Sequence, residues 1–302
     1  MPTTTAAFSK LLAPGLRKVF FQNYKMFPEE YSKIANVETS KRAYEEELTT
    51  AGLGRFEEKP EGQSITYDDP IEGNVKRYTH ATFALGFRVT REMYNDDLYG
   101  VMKKMSKELA MAARQTVELE FASLLDDAFT GSTFTGHDGK ALCATDHALL
   151  VGGTYANEPT TQRDLGIGAL RASQERMEKL VNERGLPEYR GKGKLLVISP
   201  EYQWIAKEII GSELKPYTGD NEINAFNDMG MSYMVSHYKS DPDSWFLLTD
   251  KAMHDIKFFW REKVVFDNSD DFDTKDAKFS GYMRFSLGFT DWRGVDGSSG
   301  GV

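Results

Sequence analysis

The chain has 302 residues, 40% of them apolar, and a formal net charge of -9 at pH 7. That is enough chain for one large domain or two ordinary ones, and the acidic balance argues against a protein that is wholly a nucleic-acid binder, while leaving room for a local basic patch. The single cysteine, Cys143, excludes an internal disulfide framework and suits a reducing compartment. The first residues lack the basic and apolar regions of a secretory signal, and no apolar run approaches the roughly 20 residues that span a bilayer, so a soluble chain made in the cytosol is expected, with no membrane partner.

In chain order, residues 1–50 read as an arm with helical pieces. Leu12-Ala13-Pro14-Gly15 is a turn signal, Leu16, Val19, Phe20, Tyr24 and Phe27 fall at helical spacing, and Pro28 ends the run. An arm this aromatic, ahead of any obvious core, is expected to pack on something else; the alternative is that it covers the chain's own core. Residues 51–75 are rich in Gly, Glu and Asp, with strand character only at Gln63-Ser64-Ile65-Thr66-Tyr67. They predict a solvated two-stranded excursion, and because an isolated hairpin is marginal in water, one ordered at its tip, about 64–73, by a neighbouring molecule.

The run from 75 to 89 alternates, with Phe83, Leu85, Phe87 and Val89 predicted to face a core. Asn95-Asp96-Asp97 then supplies an N-cap and favourable charge for a helix over 98–129, roughly 48 Å long at 1.5 Å per residue. Residues 130–160 read as loops, 161–184 as a helix stopped by Gly185-Leu186-Pro187, 195–199 as a buried strand, and Pro200-Glu201 as the start of another helix. After a polar stretch at 211–230, strands are expected at 232–237, 245–249, 256–260, 263–267 and 282–290, the last two joined by an acidic loop, with a flexible tail at 297–301.

Candidate chemistry is sparse. Cys143, Asp146 and His147, with His137 and Asp138 upstream, suggest a thiol nucleophile or a metal site, but structural zinc wants two ligand pairs and a Cys–His dyad wants an orienting group and an oxyanion hole. A small buried Cys143 and a loop-bonding His147 are expected instead. Gly191-Lys192-Gly193-Lys194 lacks the spacing and the Ser or Thr of a phosphate loop, and Asp267, Asp270, Asp271, Asp273 and Asp276 lack the glycine and terminal glutamate of a calcium loop. No residue is assigned as catalytic, cofactor-binding or metal-ligating.

The order of elements, the segment Arg88-Val89-Thr90-Arg91-Glu92-Met93-Tyr94-Asn95-Asp96-Asp97, the long helix with Glu118-Leu119-Glu120, and Gly139-Lys140-Ala141-Leu142-Cys143-Ala144-Thr145-Asp146-His147 resemble the major capsid proteins of tailed bacteriophages, Mu-type head subunits in particular. The resemblance implies an α+β chain with the Hong Kong 97 phage capsid fold: an N-arm at 1–50, an extended E-loop with its return strand at 51–89, and a peripheral domain at 90–159 and 256–302 with a spine helix at 98–129. An axial domain at 160–255 would bring 211–230 near the capsomer axis. It further implies a non-enzymatic subunit that self-assembles into pentamers and hexamers of an icosahedral head around double-stranded DNA, located in the virion after assembly in the host cytoplasm. A scaffolding protein, a portal and a decoration protein are the implied partners. Lys59 lies in the loop where some members form a Lys–Asn cross-link, but no matching acid and Asn are evident. The rival readings are an encapsulin-like nanocompartment shell and an enzyme built on Cys143 and His147.

Overall fold

The computed structural model describes residues 6–90, 93, 99–214, 223–271 and 276–301, so the expected cap at 95–97 lies outside the described residues. The chain begins with helix α1 (Ala6–Met26), the short α2 (Tyr31–Ile34) and strands β1 (Asn36–Thr39), β2 (Tyr44–Ala51), β3 (Ile71–Thr79) and β4 (Ala81–Val89). The long α3 (Tyr99–Asp126) follows, then β5 (His147–Ala148), β6 (Thr154–Tyr155), α4 (Ile167–Glu178), β7 (Leu195–Ile198) and α5 (Gln203–Gly211). Five strands close the chain: β8 (Ser232–Val235), β9 (Trp245–Leu248), β10 (Ile256–Asp270), β11 (Ala277–Phe289) and β12 (Val295–Ser298).

Two four-stranded sheets, ordered β1-β10-β11-β4 and β12-β9-β7-β8, share this chain with the β2-β3 hairpin and the small β5-β6 pair. In the first sheet the period of two divides the faces. Phe258, Trp260, Phe266, Phe279, Met283 and Phe285 are buried in one core with α1, α2 and α3, whereas Phe259 faces the other way against Tyr78 of β3, ring centroids 5.1 Å apart. The second sheet is buried on both faces: Val197, Phe246 and Leu248 join that core, and Leu196, Ile198, Trp245 and Leu247 form a second one with α4 and α5.

Helix α3 has 28 residues, about 42 Å at 1.5 Å per residue, slightly shorter than predicted. Met102, Leu109, Val117, Phe121 and Leu124 form its buried stripe. Beyond its end the chain reverses at Gly131, whose φ of +61° and position 2.9 Å from the Ala141 nitrogen, measured from a hypothetical Cβ, admit only glycine.

Several expectations need correction. The turn at 12–15 does not form: Pro14 sits inside α1. Burial of Leu16 and Phe20 at about 1.5–3 kcal/mol each offsets the roughly 3 kcal/mol cost of an internal proline. Leu16 and Phe20 of the arm therefore cover the chain's own core, with Phe20 packed 5.1 Å from Phe266. The expected strand at 75–89 is two strands in different sheets, the chain switching at His80, whose ring nitrogens lie 3.0 Å from Ser40 Oγ and 3.0 Å from Ser286 Oγ. Phe83, Phe87 and Val89 pack on the core as predicted, but Leu85 is 59% exposed, because it lines the mouth of a cavity of about 360 Å³ between β4, β11 and α3, opposite Gly281. The two strands expected at 256–260 and 263–267 are one bulged strand, β10. The helix expected at 161–184 shortens to α4, since Val181 leaves it to pair with Pro187. The tail expected to be flexible holds β12, buried and paired with β9, so these residues join the second sheet rather than the first. Asp296 anchors it, bonded to Ser173 and, at 2.7 Å, to Arg176.

Candidate assembly surfaces

The β2-β3 hairpin stands on the helix-free face of the first sheet. Its root is fastened by Tyr78, whose hydroxyl meets Thr290 Oγ1 at 2.6 Å, and by Glu47, which accepts from Thr290 Oγ1 at 2.5 Å and pairs with Lys257. The register runs from Tyr44 opposite Thr79 to Ala51 opposite Ile71, so the hairpin begins inside the stretch predicted as N-arm. Residues 52–70 are irregular, and the strand expected at 63–67 is not there. The expectation that a neighbour alone orders the loop is also too strong. Arg184 of the same chain donates to the carbonyls of Gly52 (2.6 Å) and Asp69 (2.8 Å) and pairs with Asp68 at 2.9 Å, clamping the loop's base. The Gly54 N–H and Arg184 hold the Asp68 carboxyl below its ordinary value.

Above that clamp the loop turns apolar side chains to solvent. Leu53 is 64% exposed, Phe56 fully exposed, Ile65 56% and Tyr67 85%. Four large apolar side chains left exposed on one loop are the kind of surface that marks an interaction site. Trp204 and Ile205 on α5 and the bridged pair Leu214 and Ile223 beyond that helix are likewise exposed. The polar residues 215–222 between that pair lie outside the described residues.

The residues singled out for chemistry are engaged in hydrogen bonds, ion pairs and packing within the chain. His147 is buried, with Nδ1 2.6 Å from Asp138 Oδ2, Nε2 3.0 Å from Asn157 Oδ1, and its ring stacked 4.3 Å from Trp292. Asn157 Nδ2 donates to the carbonyls of Leu142 and Val295, which fixes its oxygen toward the ring. Both imidazole nitrogens are thus occupied, and neither is available to activate Cys143. Burial would raise the Asp138 carboxyl, but the His147 hydrogen bond holds it below its ordinary value. Cys143 is fully buried, and that burial pushes its thiol far up. A maleimide at pH 7 is therefore expected to label the native protein only after denaturant is added; rapid native labelling would contradict this environment. Asp146 pairs with Lys140 at 2.6 Å on the surface, and His137 lies 3.5 Å from Glu183. In the glycine–lysine stretch, Lys194 pairs with Asp250 at 2.5 Å and Lys192 lies 3.9 Å from Glu178. Of the acidic loop, Asp271 pairs with Lys278 and Asp276 with Arg88.

Sequence reasoning missed a buried ionic knot. Arg293 Nη1 reaches Glu183 at 2.6 Å and Asp291 at 3.0 Å, and Arg190 reaches Asp291 at 2.8 Å. Partners such as Arg293 and Glu183, 110 positions apart, carry no local spacing signal.

These surfaces and this architecture agree with what the chain is similar to. A family model described as phage capsid protein matches residues 73–295, most of the chain. The chain belongs to the phage capsid protein family. Its fold, α+β, is that of tailed-phage major capsid proteins. The procapsid subunit of bacteriophage JBD30 aligns over 98% of this chain and 76% of its own at 16% identity with a TM-score of 0.52. The same phage's capsid decorated with minor capsid protein trimers aligns over 71% and 92% at 13% and 0.54. The capsid subunit of a native GTA particle aligns over 89% and 90% at 10% and 0.59, and that of a virus-like particle from Pyrococcus furiosus over 94% and 97% at 10% and 0.51. No curated protein matches the chain significantly. The capsid protein's role is structural: it is a subunit of a capsid shell and belongs to the virion.

Proposed function

We propose that this capsid protein forms pentamers and hexamers that close into an icosahedral head around double-stranded DNA, and that it does so without catalysis, cofactor or metal. The observation that carries this reading is the clamped hairpin loop with Leu53, Phe56, Ile65 and Tyr67 exposed above it. A loop rigid at its base and apolar above it gains by lying on another subunit, and a closed shell repeats each modest contact many times. In this arrangement β2, β3 and the loop between them are the E-loop, shifted toward the N-terminus from the predicted 51–89. The first sheet with α1, α2 and α3 is the peripheral domain, α3 its spine. The second sheet with α4 and α5 is the axial domain, and Trp204, Leu214 and Ile223 meet their copies around the capsomer centre. A scaffolding protein and a portal complete assembly in the host cytoplasm, and the decorated JBD30 capsid favours a decoration protein as a further partner.

Electron microscopy of the purified chain tests the reading. Closed particles with pentameric and hexameric units are expected as concentration rises; a monomer at every concentration would refute it. Particles purified from producing cells should contain DNA, whereas a cargo enzyme in its place would make the protein a nanocompartment shell.

A further inference from the structure

We infer that the outer face of the α1–α3 helix pair lines the shell interior and binds the phosphate backbone of double-stranded DNA; this rests on the capsid reading above. In a chain of net charge -9, residues 1–28 contain no Asp or Glu, yet include Lys10, Arg17, Lys18 and Lys25. Helix α1 lies alongside α3 in a constant register. Ser106 Oγ donates to the Leu16 carbonyl at 3.0 Å and Arg114 Nη2 to the Tyr24 carbonyl at 3.4 Å, each pair 90 positions apart, so the two helices run parallel. Both rest on one face of the first sheet, α1 through Phe20 on Phe266 of β10 and α3 through Leu109 over Gly281 of β11. Their remaining faces therefore point the same way, away from the sheet.

On those faces Arg17, Lys18 and Lys25 of α1 and Lys103, Lys104 and Lys107 of α3 are exposed. Among the described residues of the two stretches 14–26 and 100–117, Glu108 is the sole acid, and it sits 3.9 Å from Lys104. Between the helices Arg114 is buried over the Tyr24 ring at 4.1 Å and pairs through Nη2 with Glu29 at 2.8 Å, so the positive charge of this face comes from the exposed lysines and Arg17. The other side of the sheet has the opposite character: the hairpin carries Glu45, Glu46 and Glu47 on β2, and Glu57, Glu58 and Glu61 in its loop. The outer face of the helix pair thus carries an excess of cations, and the hairpin, with nine acids against four bases over 44–79, an excess of anions.

Double-stranded DNA, with one charge per roughly 1.7 Å of axis, is neutralised by just such a spread of lysines without any shaped pocket. An acidic protein helix would want apolar anchors among the cations, and along 14–26 and 100–117 the exposed large apolar side chains are only Met111 and, at the very end of α1, Met26. The cationic face therefore fits the packaged nucleic acid, and the acidic hairpin side faces outward.

The test is fluorescence anisotropy of a random 20-base-pair duplex with the full chain at 50–200 mM salt, for wild type, the triple variant K103Q/K104Q/K107Q and the triple variant R17Q/K18Q/K25Q. Salt-sensitive, sequence-independent binding is expected, with the slope of log K against log salt falling by about 2–3 in each variant, at about 0.9 for each phosphate no longer neutralised. Absence of wild-type binding at 50 mM, an unchanged slope in both variants, or a polyglutamate peptide that binds more tightly than the duplex would overturn the inference. Lysine acylation of the wild-type protein needs no variant. DNA should protect Lys103, Lys104 and Lys107 but not Lys59, and in closed empty shells a bulky amine reagent should reach Lys59 and spare the helix face; the reverse pattern refutes the assignment. Wild-type shells that bind no DNA would sink this inference alone, whereas failure to form shells would sink the capsid reading.

Discussion

Replacing Phe56 by alanine is expected to raise the concentration needed for shell formation by about 30-fold while leaving the folded subunit unchanged. The ring is fully exposed in the lone subunit, so the substitution removes no intramolecular burial. Surface changes of that kind stay within about 0.5 kcal/mol of wild-type stability. In the proposed packing against a neighbour the same ring is an aromatic anchor, and truncating such an anchor costs about 2 kcal/mol or more, a factor of about 30 per contact. The base of the loop stays clamped through Arg184, Asp68 and the carbonyls of Gly52 and Asp69, so the loss is confined to the apolar side chain. Light scattering for assembly and thermal melting for the subunit read the two effects separately. An unchanged melting temperature with unchanged assembly would show that the loop does not hold subunits together. Tyr67→Ala, on the same loop, should act in the same direction.

Asp127→Asn is expected to cost the subunit about 3 kcal/mol at pH 7, on the scale of hydrogen bonds to a charged group. Asp127 follows directly on α3, and its carboxylate gathers the next turn. Oδ1 accepts from Thr130 Oγ1 (2.5 Å), Ser132 N (2.8 Å) and Ser132 Oγ (2.6 Å), and Oδ2 from the N–H groups of Thr133 and Phe134, both at 2.7 Å. An asparagine amide must set its NH₂ against one of these donor sets, whichever way it turns. Burial would push the Asp127 carboxyl up, but the bonds from Phe134, Ser132, Thr130 and Thr133 outweigh it and hold the group well below its ordinary value. A depressed folded-state value means that the stabilisation is complete above the unfolded carboxylate range, near pH 4, and is lost as pH falls below it. Urea unfolding of dissociated subunits should therefore show the gap between wild type and D127N narrowing between about pH 4 and pH 2. A gap that stays constant on acidification would mean that the carboxylate's charge contributes nothing there.

Much of the architecture was legible in periodicity. The alternation of Met283, Phe285 and Leu287 against Tyr282, Arg284 and Ser286 identified a strand with one core face, and the proline-free run after residue 99 identified the long helix to within a few residues. These signals are local, and burial on one face imposes them directly on neighbouring residues. Pro14 read as a helix breaker because its cost is local, whereas the compensating contacts with β10 and α3 come from far along the chain. The glycine- and serine-rich residues 297–301 read as a free tail because the pairing of Gly297 and Ser298 with β9 and the adjoining Asp296–Arg176 bond are likewise distant. Glycine suits that strand where a side chain would collide: a Cβ on Gly297 would lie 2.8 Å from the Phe246 ring.

The candidate surfaces divide the same way. That an acidic, glycine-rich stretch ahead of β3 would form a projecting excursion followed from its composition. That Arg184 would clamp it, that Phe56 and Tyr67 would be left uncovered, and that His147 would be consumed by Asp138, Asn157 and Trp292 did not. By itself the sequence determined the capsid-like order of elements, the long helix, the core faces of the main strands and the exclusion of a disulfide framework, because each follows from side-chain period or composition within a short window. Only the tertiary structure decided which residues remain exposed for a neighbour, where the chain switches sheets, and that the cations of α1 and α3 share one face. Those properties depend on bringing together residues from 40 to 206 positions apart, and no short window contains both partners.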